Sequence, residues 1–269
     1  MDKIKPIVLT FSGTDPTGGA GMQADILALS QLGCYPISVV TSITCQDTHG
    51  VSRVSPVDVS LIRDQIDNII SDVSVDVIKI GMIPSLKVLT ELHRVMLSLP
   101  HIPVILDPIM LSGRGDSFNS EEVRGRLVKD IIPLTALITP NDFELESIFH
   151  ALDGVESSNL RDDLGTKIGM IGASHVLVTG THNSTKNVVN QLYDATGMIR
   201  SWDWPRLDGE YHGSGCTLAS ASAAYIALSF PIEEAVSKAQ QYTWSTLDHG
   251  YRIGSGQLIP NRLQTTPEY

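Results

Sequence analysis

The chain is short of cysteine, of aromatic residues and of positive charge. Cys34, Cys45 and Cys216 are its three cysteines in 269 residues. They are odd in number and widely spaced, and they form neither a CxxC pair nor a disulfide framework, which points to a reducing cytoplasm. Lys and Arg number 19 against 30 Asp and Glu, a net charge of -11. So acidic a surface argues against nucleic acid or an anionic membrane as the main partner. No apolar run is long enough to span a bilayer. Met1 to Pro6 is short and charged, and strand-like residues follow at once, so no secretory leader is expected. Internal repeats, linkers and low-complexity segments are absent as well. One domain over residues 1–269 is expected, a length that can bury a single large core.

What the chain does have is alternation. Apolar strand-like runs occur at Ile7 to Phe11, Pro36 to Thr44, Val75 to Met82, Pro103 to Pro108, Ala136 to Thr139 and His175 to Gly180. Between them, helical spacing covers Met22 to Leu32, Val57 to Ile70, Ser85 to Leu99 and Ser120 to Asp130; a further helix starts at Asn141, and one follows a polar stretch (Asp153 to Asn159) and ends near Ile171. Strands alternating with helices predict a three-layer α/β/α fold around a mainly parallel sheet. Asn187 to Tyr193 and Met198 to Trp204 flank Asp194-Ala195-Thr196-Gly197, which reads as an antiparallel hairpin at a sheet edge. A last helix is expected from Ile232 to His249.

The most informative stretch is Tyr211-His212-Gly213-Ser214-Gly215-Cys216-Thr217-Leu218-Ala219, where two glycines precede a long run of small and apolar residues. The run reads as a buried helix entered by a tight turn. The first amides of a helix have no partner within it and carry its positive dipole end, so such a turn seats an anion. Cys216 falls at the mouth, where a helix start favours thiolate; the plain alternative is a small buried side chain in a turn. A second glycine-rich segment, Ser12 to Gly21, has four glycines and a proline between strand and helix, the layout of a ligand loop at a strand's carboxyl end. It is neither a GxGxxG fingerprint nor a P-loop ending in GK[ST]. Gln46 and Asp107 also follow strands. Gln46 offers a donor and an acceptor to a heterocycle edge or caps a turn. Asp107 suits Mg²⁺, or caps its own turn. Asn141 and Glu144 have capping-box spacing, with a role at phosphate and metal as the alternative. Ser112 to Ser117 reads as a lid or a solvated loop.

Four of these segments together resemble a known family: Gly13-Thr14-Asp15-Pro16-Thr17-Gly18-Gly19-Ala20-Gly21-Met22-Gln23-Ala24-Asp25, Lys79-Ile80-Gly81-Met82, Thr139-Pro140-Asn141 and His212-Gly213-Ser214-Gly215-Cys216-Thr217-Leu218. They closely resemble the hydroxymethylpyrimidine and phosphomethylpyrimidine kinases of thiamine biosynthesis. The likeness implies a ribokinase-like fold, ATP as phosphoryl donor, Mg²⁺ as cofactor, a homodimer, and two successive phosphorylations of a pyrimidine alcohol. It would place Gly13, Ala20, Gln46, Met82 and Ile109 around the pyrimidine, with Asp25 close to the substrate loop. Asp107 would organise the metal, Asn141 and Glu144 would sit at phosphate and metal, Gly213 and Gly215 would form the anion hole, and Cys216 would stand where related sugar kinases place a base. Thr179, on the nucleotide side, departs from the family's usual lysine, which leaves Arg114 or a second metal to balance the phosphates. Trp202-Asp203-Trp204-Pro205 is also unlike the family's usual forms. Three rivals stay open: a pyridoxal or pyridoxine kinase of the same fold, a thiol hydrolase or acyltransferase pairing Cys216 with His212 or His249, and a non-catalytic ligand sensor.

Overall fold

The computed structural model of the chain describes residues 5–110, 120–152, 164–180 and 186–263. Its first half runs β1 (Ile7–Gly13), α1 (Gly21–Gln31), β2 (Tyr35–Asp47), β3 (Gly50–Pro56), α2 (Val59–Asp72), β4 (Val77–Ile80), α3 (Leu86–Ser98) and β5 (Val104–Leu106). Its second half runs α4 (Glu121–Arg126), β6 (Leu137–Ile138), α5 (Asp142–Ala151), α6 (Leu164–Ile171), β7 (Val176–Thr179), β8 (Asn187–Asp194), β9 (Gly197–Pro205), α7 (Ser214–Ala227) and α8 (Ile232–Asp248).

The central strands are apolar at most positions because both their faces are covered. Alternate residues of a strand point to opposite faces. Leu9, Ile78, Leu106 and Ile138 enter one core with α2, α3 and α5. Their neighbours Val8, Val77, Ile105 and Leu137 enter a second core with α1, α7 and α8. The strands line up as β3-β2-β1-β4-β5-β6-β7-β8-β9. From β2 to β7 neighbours are parallel, while β3, β8 and β9 are antiparallel. The chain moves outward from β1 to β2 and β3, then returns to β4 on the other side of β1. A crevice opens at the carboxyl ends beside such a reversal.

The expected three layers and the late hairpin are therefore present. The structure adds one antiparallel edge that the sequence reading passed over. β2 is not a wholly buried parallel strand: it runs on to Asp47, is only partly buried, and turns at Thr48-His49 into β3. Val51 and Val54 between the Gly50 turn and Pro56 were the weak signal available. The helix expected over Ser120 to Asp130 keeps regular geometry only to Arg126. It then widens over Leu127–Ile131 and tightens over Leu134's turn, where Pro133 cannot donate to a regular ladder. The stretches 112–117, with Arg114, and 153–159 lie outside the described residues.

Helix α7 carries the turn singled out above, and its composition explains its place. Ala219, Ala221, Ala223 and Ala224 have no exposed surface, and Ser220 and Ser222 are equally buried. Small side chains let α1, α8 and the sheet approach it closely on all sides. Ala223→Leu is therefore expected to overpack the second core and lower stability by about 1–3 kcal/mol, read as a lower urea midpoint; an unchanged midpoint would contradict this close approach.

Candidate active site

The strand ends converge on one cleft of about 390 Å³. β1 delivers Gly13, β4 is followed by Gly81 and Met82, β5 by Asp107 and Ile109, and β6 by Thr139 and Asn141; Thr179 closes β7. Gln46 and Val51 line it from the β2–β3 edge, and Val188, Asn190 and Trp204 from the β8–β9 edge. These edges lie at opposite ends of the sheet, so the cleft crosses its whole carboxyl side. Gly13, Ala20, Gln46, Met82, Ile109, Asp107, Asn141, Glu144, Thr179, Gly213, Gly215 and Cys216 all line it, as the sequence led us to expect.

At the middle of the cleft is the start of α7. Gly213 is its N-cap in a left-handed conformation, φ 76°. A Cβ there would collide with the Gly19 carbonyl oxygen, so only glycine fits. The first bond of the helix runs from Thr217 N–H to the Gly213 carbonyl at 3.0 Å. The amides of Ser214, Gly215 and Cys216 come before it and find no acceptor inside the helix. The cradle expected from the two glycines is thus formed.

The thiol in that cradle does not behave as expected. Cys216 is buried, and its pKa is pushed up to about 12, chiefly by burial and then by the neighbouring Asp107 carboxylate. The helix start does not win, because the thiol sits among carboxylates away from water. The thiol therefore keeps its proton beside Asp107, and the expectation of a resting thiolate is withdrawn. Asp107 itself is 4% exposed. A Cβ on Gly215 would lie 3.7 Å from its Oδ1, and its Oδ2 is buried with no hydrogen-bond partner. Burial raises its pKa, with Lys79 acting against the rise. Glu144 completes the acidic side. Burial and Asp107 lift its pKa from 4.5 to about 8. It also closes both halves of the capping box of α5: Glu144 N–H donates to Asn141 Oδ1 at 2.9 Å, and Asn141 N–H to Glu144 Oε2 at 3.0 Å. The helix-capping reading of these two residues is therefore correct, and both still face the cleft.

Asp25 needs correction. It is fully buried and is not among the residues lining the cleft. It accepts hydrogen bonds from Ser12 Oγ and from Ser220 Oγ at 2.7 Å, and pairs with Lys79 Nζ at 2.9 Å. Both partners of that ion pair have no exposed side-chain surface. Lys79, to which the sequence reading gave no role, does line the cleft. Burial opposes its charge, but Asp25, with Cys216 and Asp107, more than offsets this and holds the ammonium above the usual lysine range. A lysine inside an otherwise apolar buried strand was the signal: so buried a charge must be paired.

Two more pairings were not foreseen. His212 Nε2 lies 2.9 Å from Asp15 Oδ2 and ties the glycine loop to the α7 turn. His249 Nδ1 is engaged with the Ser245 carbonyl at 3.0 Å. Neither histidine is on the Cys216 sulfur, which removes the geometric basis of a thiol hydrolase. At the far wall, Asn190 and Trp204 both donate to Gln240 Oε1, at 2.9 and 3.0 Å. Trp204 stacks on Trp244 with ring centroids 6.3 Å apart. Thr243 Oγ1, buried on the same wall, has no partner.

Fold and site together define a ribokinase-like kinase. Residues 15–261 match the phosphomethylpyrimidine kinase family, and the chain belongs to that family. It is 30% identical to the hydroxymethylpyrimidine/phosphomethylpyrimidine kinase of Staphylococcus aureus, over 94% of this chain and 92% of that protein. It is 32% identical to the thiamine biosynthesis bifunctional protein ThiED of Geobacter sulfurreducens, over 95% of this chain; there it spans about half, 52%, of the longer relative. Among solved structures, a phosphomethylpyrimidine kinase from Clostridium difficile is 33% identical with a TM-score of 0.73, covering 89% of this chain and 98% of that one. The pyridoxal kinase from Staphylococcus aureus in complex with pyridoxal is 25% identical with a TM-score of 0.85, covering 97% and 94%.

The folded chain holds a proton on Glu144 between the unfolded value of 4.5 and about 8. That contribution is complete below the lower value and lost as pH rises through the upper one. The thermal midpoint of the metal-free chain should fall from about pH 5 to 8.5, and Glu144→Gln should flatten the fall; equal slopes would contradict the assignment. Gly213→Ala should cost about 1–2 kcal/mol from the left-handed conformation alone, and more from the collision with Gly19, as measured by denaturant midpoint.

Proposed function

We propose that the chain transfers the γ-phosphoryl group of ATP to the hydroxymethyl oxygen of 4-amino-5-hydroxymethyl-2-methylpyrimidine, and then phosphorylates the monophosphate to the diphosphate. The observation that carries this is the cradle: three helix amides without an acceptor inside the helix, beside a buried carboxylate, at the centre of a cleft that crosses the carboxyl side of the sheet. Transfer of a phosphoryl group needs alignment and charge neutralisation more than covalent help. The amides of Ser214, Gly215 and Cys216 receive the equatorial oxygens of the transferring group. Gln46 supports the pyrimidine end. Its Nε2 donates to Thr44 Oγ1 at 2.8 Å, so its carbonyl oxygen is left to accept from an exocyclic amino group. The apolar faces of Gly13, Ala20, Met82 and Ile109 hold the ring.

The donor set fits Mg²⁺. The orphaned Asp107 Oδ2 and the raised Glu144 carboxyl are hard oxygen donors, short of positive charge, on the same side of the cleft. Bound there, the ion would neutralise phosphate oxygens. Thr179 supplies no charge, so cationic help at the phosphates falls to this ion and to Lys79. Cys216 orients the acceptor alcohol: its sulfur takes the alcohol's hydrogen bond while it keeps its own proton, and the alcohol's proton passes to an oxygen of the transferred phosphoryl group. In this reading it does not act as a thiolate base. The stacked Trp204 and Trp244, with Thr243, take the base of the nucleotide, and Asn141 and Thr179 flank its phosphates. We also place the chain in the cytoplasm as a homodimer; its free cysteines and the exposed Tyr35 and Ile43 on β2 support this.

ADP release should be compared with hydroxymethylpyrimidine, its monophosphate and pyridoxal side by side. The two pyrimidines are expected to turn over faster than pyridoxal; the reverse order would make the chain a pyridoxal kinase. Cys216→Ala should lower kcat by about tenfold, below the 10²–10⁴-fold typical of a lost general base, and the unaltered chain should show no thiol inflection in its pH profile near neutrality. An unchanged rate would remove Cys216 from the site's chemistry.

A further inference from the structure

Arg262 lies one residue beyond the part of the chain that matches the family. It is 2% exposed. Its Nε donates to Thr217 Oγ1 at 2.9 Å, its Nη1 to the Gly18 carbonyl at 3.4 Å, and its Nη2 to the carbonyls of Gly19 and of Gly213, the last at 3.3 Å. All these acceptors are neutral. Among the described residues no carboxylate forms an ion pair with it, so its charge is buried without a contacting counter-ion. The segment is pinned from α8, because Tyr242 Oη donates to the Arg262 carbonyl at 2.8 Å and Asn261 N–H to the Thr246 carbonyl at 2.9 Å.

The carbonyls that Arg262 grips belong to both glycine turns. In a trans peptide the C=O and the next N–H point in opposite directions. Drawing the Gly213 oxygen inward therefore turns the Ser214 N–H toward the cleft. The same oxygen also accepts from Thr217 Oγ1 at 2.8 Å, so it has no freedom to swing back. Holding Gly18 and Gly19 from the same guanidinium fixes the distance between the substrate loop and the cradle. The buried positive charge behind the helix start adds to the dipole that faces the transferring group.

We propose that Arg262 is a positioning residue for phosphoryl transfer: one guanidinium clamps the substrate loop to the α7 turn, aims its amides, and places a positive charge behind them. The inference rests on the phosphoryl-transfer reading above. A lysine carries the charge but cannot span four acceptors with one nitrogen.

The test uses the full chain with Arg262→Lys and Arg262→Met. Turnover is measured with ATP and hydroxymethylpyrimidine, and binding with ADP alone and with ADP plus aluminium fluoride, a mimic of the transferring group. Arg262→Lys is expected to lower kcat by about tenfold or more, with KM for the pyrimidine within about threefold, as for a weakened oxyanion hole. Binding of ADP plus aluminium fluoride should weaken in proportion, while ADP alone holds within about twofold. Where Arg262→Met does not fold, Arg262→Lys decides on the same readings. A parent-like kcat in Arg262→Lys, or equal weakening of both ligands, overturns the inference and leaves Arg262 a fold-stabilising residue. An unaltered chain that releases no ADP with any of the three alcohols overturns the phosphoryl-transfer reading, and this inference with it.

Discussion

The structure depends on two glycine turns touching. Gly213 brings its α-carbon against the Gly19 carbonyl, closer than any side chain permits. That contact sets where α7 begins, which way its first amides face, and how far the ligand loop stands from them. The rest of the fold holds the two turns in register. β1 carries the loop, α7 packs on the sheet through alanines and serines, and the chain's last described segment returns across both.

The charges follow from that arrangement. Around the helix start lie Asp107 and Glu144, with Cys216 between Asp107 and the amides. Carboxylates removed from water and close to each other resist ionisation, which is why Asp107, Glu144 and Cys216 all have raised pKa values. Such a cluster is incomplete without positive charge. Lys79, Arg262 and the helix dipole supply part of it from the protein side. The remainder suits a divalent ion and the polarised phosphate it would accompany. Lys79 can stay ionised without water only because Asp25 is beside it, itself satisfied by Ser12 and Ser220. Breaking one side of so buried a pair costs about 3–5 kcal/mol, so Asp25 matters to the site from behind the cleft wall.

Much of the fold was legible because it rests on periodicity. The apolar strands, the helices between them and the β8–β9 hairpin stood out in the sequence. β3 did not, since an edge strand exposed on one face carries only weak alternation. The backbone part of the site was legible for a similar reason: glycines at a helix start have few other uses. Side-chain chemistry was less so. Proximity to a helix dipole pointed to a Cys216 thiolate, whereas burial and Asp107, contacts made through the fold, determine the opposite. Asp25 belonged to a recognisable motif, yet its pairing with Lys79 depends on how α1 packs against β1 and α7. Arg262 gave no signal at all, because its partners are more than forty residues away in sequence and are mostly backbone atoms.

The most direct measurement is a crystal structure of the chain with ADP, Mg²⁺, aluminium fluoride and hydroxymethylpyrimidine. Our account predicts the fluoride within hydrogen-bonding reach of the Gly215 and Cys216 amides, the pyrimidine's amino group on Gln46, and its hydroxymethyl oxygen directed at the Cys216 sulfur. A fluoride bound elsewhere in the cleft, with those amides left without a ligand, would contradict it.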